Sequence, residues 1–498
     1  MSDMKVGDAC WNPSFADMKL SPIAQVAEDE TSWFLATHSP ITYKSENQEF
    51  QQEDLFKRLI TVNRRDYLVV VNGEPGSGKS QLINWLKLRF DSAIKNGQKS
   101  EFNNLRLRSV LVRRRSGSLK DALQQLVDQL PELDVYLAKV RAAIDGVQGK
   151  AAGQRLCTEM FFSLQDHVEN TPKLLKKLHE IFLDPRAMEH LCRKGGAVEL
   201  NLKRLVEASD TNQRESLPSF SVDDFTFPIA KPVKFDDELK ERLEDDPSLR
   251  ALAAETATKC LRQAIAGLTG LKGHTLNEVF RDIRGELARR GEALALFIED
   301  VSALSVLDEE LVNALQPVND SSLCPLLSVL GMTLGAFSRL PDNLRQRIDM
   351  TLELSDSSSF SSSETDSVQV DRFVARYLNA LRLGETKTQL LADASGGDEQ
   401  MLSACSECTQ RDACFTAFGS VEINRTQVGM YPLGLGSSIR LLNGLSNEKL
   451  PKTPRSLLQY IVSKLLKRKP SDWTGKTIGL EIKPKTPKIL TSTVSHRD

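Results

Sequence analysis

Tyr67-Leu68-Val69-Val70-Val71-Asn72-Gly73-Glu74-Pro75-Gly76-Ser77-Gly78-Lys79-Ser80 is the stretch on which the reading of this chain turns. Tyr67 to Val71 is apolar and β-branched, the composition of a short parallel strand buried on both faces. Gly73 to Ser80 meets G-x-x-x-x-G-K-[ST] at every fixed position. From Ser80 to Arg89, apolar residues at Leu82, Ile83, Trp85, Leu86 and Leu88 predict a helix buried on one face. Strand, glycine loop and helix in immediate succession are the context this motif requires. Glycines let the main chain wrap closely round phosphate oxygens and aim amides at them, and the helix start adds the positive end of its dipole. The pattern assigns Gly73, Glu74, Pro75, Gly76, Ser77, Gly78, Lys79, Ser80 and Gln81 to nucleotide binding. Lys79 is expected to reach the β- and γ-phosphates of ATP, and the Ser80 hydroxyl to bind Mg²⁺, a hard cation that prefers oxygen.

Working outward, Glu53–Ile60 reads as a helix, Leu107–Val112 as a second strand, and Leu119, Leu123, Leu126 and Leu130 recur at helical spacing. Between Pro131 and Leu271 no buried strand is evident, and helical stretches such as Lys173–Phe182 and Asp237–Leu243 alternate with polar turns. Thr275–Arg290 is a charged amphipathic helix that leads into the apolar strand Ala293–Ile298, and Leu326–Met332 is a further strand. The expected fold class is α/β, a P-loop parallel sheet interrupted by a large helical insertion. Ser355 to Ser367 cannot bury a core and is expected to be a linker. Val370–Leu383 and Pro454–Leu466 read as helices, and a basic, proline-containing tail follows from Lys467.

The chain has 498 residues, too many for one core to grow comfortably, with 40% hydrophobic and 27% charged residues. A formal net charge of -2 excludes a global basic field, so nucleic acid could be held only by a local patch. Met1 to Phe15 has no basic segment followed by an apolar core, and no window resembles a membrane span, so a cytoplasmic protein without membrane contact is expected. Eight cysteines, most of them isolated, do not make the dense framework of a secreted domain.

A phosphate loop needs an acidic partner at the end of a neighbouring strand. Ala293-Leu294-Ala295-Leu296-Phe297-Ile298-Glu299-Asp300 supplies one and resembles a Walker B element with its two acids reversed. By position Glu299 holds Mg²⁺ and Asp300 orients the attacking water; the reversal leaves the roles open, as does the alternative of an acidic turn after a core strand. The roughly 220 residues between Ser80 and Glu299 far exceed what such a core needs, in keeping with an insertion.

The succession from Leu326–Met332 through Thr333 to Leu340-Pro341-Asp342-Asn343-Leu344-Arg345-Gln346-Arg347 resembles AAA+ ATPases, whose sensor-1 strand is followed by a short helix ending in an arginine finger. The resemblance implies Thr333 as sensor 1 and Arg347, with Arg345 second, as the finger that stabilises charge on the transferred phosphoryl group of a neighbouring subunit. Either arginine is equally readable as a solvated helix residue. Thr453-Pro454-Arg455-Ser456-Leu457-Leu458 resembles the start of a lid helix, which implies Arg455 as sensor 2; a helix-opening proline followed by an exposed arginine is the alternative. Asn277-Glu278-Val279-Phe280-Arg281-Asp282-Ile283-Arg284, Phe297-Ile298-Glu299-Asp300-Val301 and Leu323-Cys324-Pro325-Leu326, taken with the cysteines below, look like large ATP-binding proteins of bacterial phage-defence islands. The chain then divides into an N-terminal arm (1–50), the first part of the ATPase core (51–130), the insertion (131–271), the second part of the core (272–354), a Ser-rich linker (355–369), a helical lid (370–466) and a basic tail (467–498). The resemblance implies an ATP-hydrolysing motor or remodelling component that forms a homo-oligomer and works with other defence proteins. A low-turnover nucleotide switch that recruits an effector, and a DNA-stimulated ATPase, are the alternatives.

Cys405, Cys408 and Cys414 are spaced C-x-x-C-x5-C, close enough to present three thiolates to one Zn²⁺. A fourth ligand is missing locally, so Cys324 or an acidic residue would have to come from elsewhere, or the segment is a plain reduced-cysteine turn. An iron–sulfur cluster would want a fourth cysteine. Arg106, Arg108, Arg113-Arg114-Arg115, Lys464, Lys467, Arg468 and Lys469 are candidate DNA phosphate contacts or ordinary solvated faces.

Overall fold

The computed structural model describes residues 10–20, 31–45, 48–62, 65–95, 105–113, 119–138, 149–166, 173–206, 219–227, 237–268, 275–301, 308–354, 364–394, 402–444 and 453–467. Its central feature is a mostly parallel seven-stranded sheet. The strands are β1 (Thr42–Ser45), β2 (Gln48–Gln51), β3 (Asp66–Asn72), β4 (Arg106–Val112), β5 (Glu292–Ile298), β6 (Leu326–Met332) and β7 (Met350–Glu353), in the order β2-β1-β7-β3-β6-β5-β4. β3, β5 and β6 are buried along their whole length, which is why they read as unbroken apolar runs rather than alternating ones. The ladders β3–β6, β6–β5 and β5–β4 are parallel. Val70 is level with Leu330, which is level with Ile298, so β3, β6 and β5 end at one carboxyl edge.

The chain folds as two units, one of Phe56–Asn72 and Leu86–Leu352, the other of Met1–Leu55, Gly73–Trp85 and Glu353–Asp498. In the first, the described residues between Pro131 and Leu268 form helices only, the longest being Gly149–Asp166 and Pro247–Leu268. They are not a separate body. Leu156, Met160, Ile181, Ala257 and Ile265 belong to the same continuous apolar core as Leu68, Val110, Leu296 and Leu330 of the sheet.

Two polar devices hold this unit. Arg284, on the helix Thr275–Arg289, is 2% exposed and pairs with the equally buried Asp66 at 2.6 Å. Its Nε and Nη2 also donate to the Cys324 carbonyl, and Asp66 accepts the main-chain N–H groups of Val318 and Leu326. Burying both charges is tolerable only because nearly every lone pair and proton finds a partner. At the outer strand β4, the Gln129 amide both accepts from Leu111 N–H and donates to Leu111 O, and Gln125 does the same for Arg113. Four helix residues rise about 6 Å and two strand residues about 6.8 Å, so two glutamines one turn apart match alternate residues of an edge.

In the second unit the N-terminal residues are more ordered than an irregular arm. They form the helices Pro13–Leu20 and Thr31–Thr37 and the β1–β2 hairpin. Trp11, Ala16 and Leu20 share a core with Val370, Val374, Leu378, Leu442, Leu457 and Ile461, and Trp11 Nε1 donates to Leu466 O at 2.7 Å. Of the expected linker, 355–363 lie outside the described residues, and the helix Glu364–Ala394 already begins at Glu364. The expected lid also contains a hairpin, β8 (Ser420–Ile423) with β9 (Thr426–Gly429). The tail beyond Lys467 lies outside the described residues. Among the described residues no helix is long and apolar enough to cross a membrane.

Candidate functional site

Asn72 ends β3 and the chain continues directly into Gly73–Ser80. Gly76 and Gly78 take φ of +87° and +101°, a region in which a side chain is strained. A Cβ on Gly73 would stand 2.6 Å from Ser77 Oγ, so the loop closes on itself only with glycine there. The turn is held by Ser77 N–H on Glu74 O, and the helix Lys79–Lys95 opens with Leu82 N–H on Gly78 O. Lys79 is 6% exposed, and its Nζ donates to Gly73 O at 2.8 Å and Glu74 O at 2.9 Å. A buried ammonium requires such acceptors; here they fold it back over the loop. Ser77 Oγ and Asn72 Oδ1 are buried without a hydrogen-bond partner. Glu74 and Pro75 are exposed, and Ser80 is half-buried in the first helical turn.

Gln81 lies near His38, whose Nε2 donates to Gln52 Oε1 at 2.9 Å and whose Nδ1 is buried without a hydrogen-bond partner. Thr453, which caps the helix Pro454–Leu457 by accepting Ser456 N–H, lies against Gly76; a Cβ on that glycine would be 3.1 Å from the threonine side chain. The helix that carries Arg455 therefore starts beside the glycine-rich loop, and Arg455 itself is exposed.

At the carboxyl edge of the sheet, Glu299 and Asp300 follow β5 and are 4% and 9% exposed. Glu299 N–H completes the ladder to Val112 O at 3.0 Å. Thr333 follows β6 and uses its hydroxyl to accept Ala336 N–H, capping the helix Leu334–Arg339. Arg345 and Arg347 are both exposed. Arg345 pairs with Asp342 on its own turn, whereas Arg347 Nη1 donates to the buried Gln316 at 3.0 Å.

Several of the candidate DNA contacts are engaged in ion pairs. Arg108 pairs with Glu132 at 3.2 Å and Glu292 at 3.3 Å, Arg106 approaches Glu292 at 3.9 Å, and Lys467 pairs with Asp17 at 2.8 Å. Lys464 is exposed, and Arg114, Arg115, Arg468 and Lys469 lie outside the described residues. Cys324 sits beside Arg284 and Asp66, and burial pushes its thiol up to about 11.

Compared with protein-family models, with curated proteins and with solved structures, the chain matches none of them. Thr453 and Gln316 were not evident as functional neighbours from sequence; the Thr-Pro pair at a helix start was the one local signal for the first, and nothing local marks the second.

Proposed function

We propose that this chain binds ATP with Mg²⁺ and hydrolyses it as a P-loop ATPase of AAA+ type that assembles with copies of itself. The observation that carries the reading is strand order: β6, which leads to Thr333, lies between β3, which runs into Gly73–Ser80, and β5, which ends at Glu299–Asp300. Three parallel strands therefore run with one polarity toward the phosphate loop, the polar residue and the carboxylate pair, and open α/β sheets bind ligands at the carboxyl ends of their strands.

The residues fit the ligand. Ser77 Oγ and Asn72 Oδ1 have unspent hydrogen-bonding capacity, and Lys79 would exchange two carbonyls for phosphate oxygens. Mg²⁺, when bound, would neutralise charge on the β- and γ-oxygens, and Ser80 with Glu299 would hold it. Asp300 would orient the attacking water, its burial strengthening that interaction, and Thr333 would complete the surroundings. A finger must reach the phosphate of another copy, so exposure is what the role needs; Arg347, anchored through Gln316, suits it better than Arg345, which is occupied by Asp342. Arg455 would contact the γ-phosphate from the lid. Other phage-defence proteins as partners rest on the resemblance alone.

Lys79→Ala tests the assignment. Binding of a fluorescent ATP analogue should fall at least about 100-fold, because the loop's one charged phosphate ligand is lost, while circular dichroism stays unchanged; wild-type binding would sink the proposal. ATPase activity per chain should rise with protein concentration, and a flat profile would remove the assembly.

A further inference from the structure

The unit that contains the N- and C-terminal segments holds a set of thiols for which ATP chemistry has no use. Cys405 and Cys408 bracket a turn closed by Cys408 N–H on Cys405 O at 3.3 Å, and Cys414 lies on the helix Arg411–Phe418. Arg382, from the helix Glu364–Ala394, extends into this group. Its Nη1 donates to Cys405 Sγ at 3.5 Å and to Gly429 O at 2.9 Å, and its Nη2 to Tyr431 O. Gly429 N–H also donates to Cys405 Sγ at 3.5 Å, and a Cβ on Gly429 would stand 3.5 Å from Cys414 Sγ. Two sulfurs thus flank one glycine of β9.

A fourth thiol arrives from the other end of the sequence. Cys10 lies close enough to Arg382 for its thiol to interact with that guanidinium. It is fixed there by its neighbour Trp11, whose ring lies 5.9 Å from that of Tyr431 and whose Nε1 donates to Leu466 O. Cys10 lies within electrostatic reach of Cys405, Cys408 and Cys414. Among the described residues no carboxylate pairs with Arg382, and its Nε is buried without a partner. Neutral thiols are weak acceptors and poor compensation for a guanidinium; four thiolates round a metal carry the negative charge that such a cation calls for.

We propose that Cys10, Cys405, Cys408 and Cys414 are the ligands of a four-thiolate metal centre, zinc or an iron–sulfur cluster, that ties the N-terminal segment to the C-terminal helices. Among the described residues no three His, Cys, Asp or Glu side chains already stand at the spacing of one ion's ligands, so a zinc ion would have to draw these thiols together. A cluster, in which each cysteine binds a different iron, takes a wider spacing than a zinc ion with sulfurs about 2.3 Å away. Arg382 and Gly429 N–H, both donating to Cys405, are then the hydrogen bonds that tune the centre.

The test is metal content per chain in protein purified without oxygen from cells supplied with iron and zinc. The wild type should carry about one zinc, or about four irons with the visible absorbance of a cluster. The metal should fall at least about fivefold in each of Cys10→Ser, Cys405→Ser, Cys408→Ser and Cys414→Ser, and stay unchanged in Cys192→Ser. Folded wild type with less than about one tenth of either metal, or a Cys10→Ser chain that keeps its metal while Cys405→Ser loses it, would overturn the proposal. Should the variants fail to fold, metal-free wild type titrated with Co²⁺ decides: charge-transfer intensity of four thiolates supports the centre, and that of three or none refutes it.

Discussion

Thr453 lies so close to Gly76 that its Cβ and Cγ2 would each be 3.1 Å from a Cβ on the glycine, tighter than an ordinary van der Waals contact. The glycine-rich loop and the first turn of the helix that carries Arg455 are therefore in direct contact.

Gly76→Ala should accordingly weaken ATP-analogue binding about tenfold, because the backbone at φ +87° and the contact with Thr453 are both strained, at a combined cost of about 1–3 kcal/mol. Thr453→Ser, which keeps the helix cap but removes Cγ2, should restore only part of the loss, since the backbone strain persists. Wild-type affinity in Gly76→Ala would show that the contact has no bearing on the ligand.

His38 makes stability depend on pH. Burial between Phe34 and Trp85 lowers its pKa from the ordinary 6.5 to about 4, against the hydrogen bond that it donates to Gln52, which favours the charged form. Between those values the unfolded chain binds more protons than the folded one. Stability is full above about pH 6.5 and declines as pH falls toward 4, by at most about 3 kcal/mol from this residue. Urea denaturation at several pH values should give a steeper decline for the wild type than for His38→Asn; parallel curves would refute the assignment.

The buried pair Arg284 and Asp66 should tolerate joint replacement better than single replacement. Asp66→Asn or Arg284→Met alone leaves a charge without its partner and should cost about 3–5 kcal/mol, whereas the double change should recover a large part of it. Additive losses in denaturant melts would mean that the two do not act as a pair.

Arg347→Ala and Asp300→Asn should each abolish ATPase activity, yet mixtures of the two should regain some, as sites form with an intact carboxylate from one chain and an intact arginine from the next. Gln316→Ala, which frees the anchor of Arg347, should lower turnover less, by about tenfold. Mixtures that stay inactive at every ratio would argue against a finger acting between copies.

The parts of this fold that were legible in the sequence are those with a local cause. β3, β5 and β6 are continuous apolar runs because both faces are covered, and the loop after β3 needs its glycines at fixed places. β1, β2 and β7 are four residues each and only partly buried, so polar sequences such as Gln48-Glu49-Phe50-Gln51 carry no strand signal. The docking of Trp11 and Leu20 on residues near 370 and 460 is likewise silent, since the partners lie hundreds of positions apart. Cys10 is an isolated cysteine until the fold carries it to Arg382, and Thr333 looked like a sensor without revealing that its hydroxyl also caps a helix.

The paired glutamines on β4 bear on how such a chain could associate. If it meets its own kind through nucleotide, then its outermost strand must not offer a rival meeting place. Gln125 and Gln129 occupy the main-chain groups of Leu111 and Arg113 that an intruding strand would seek. Swapping both for alanine would leave the chemistry alone and show itself in light scattering, as an adhesive margin where the native one is inert.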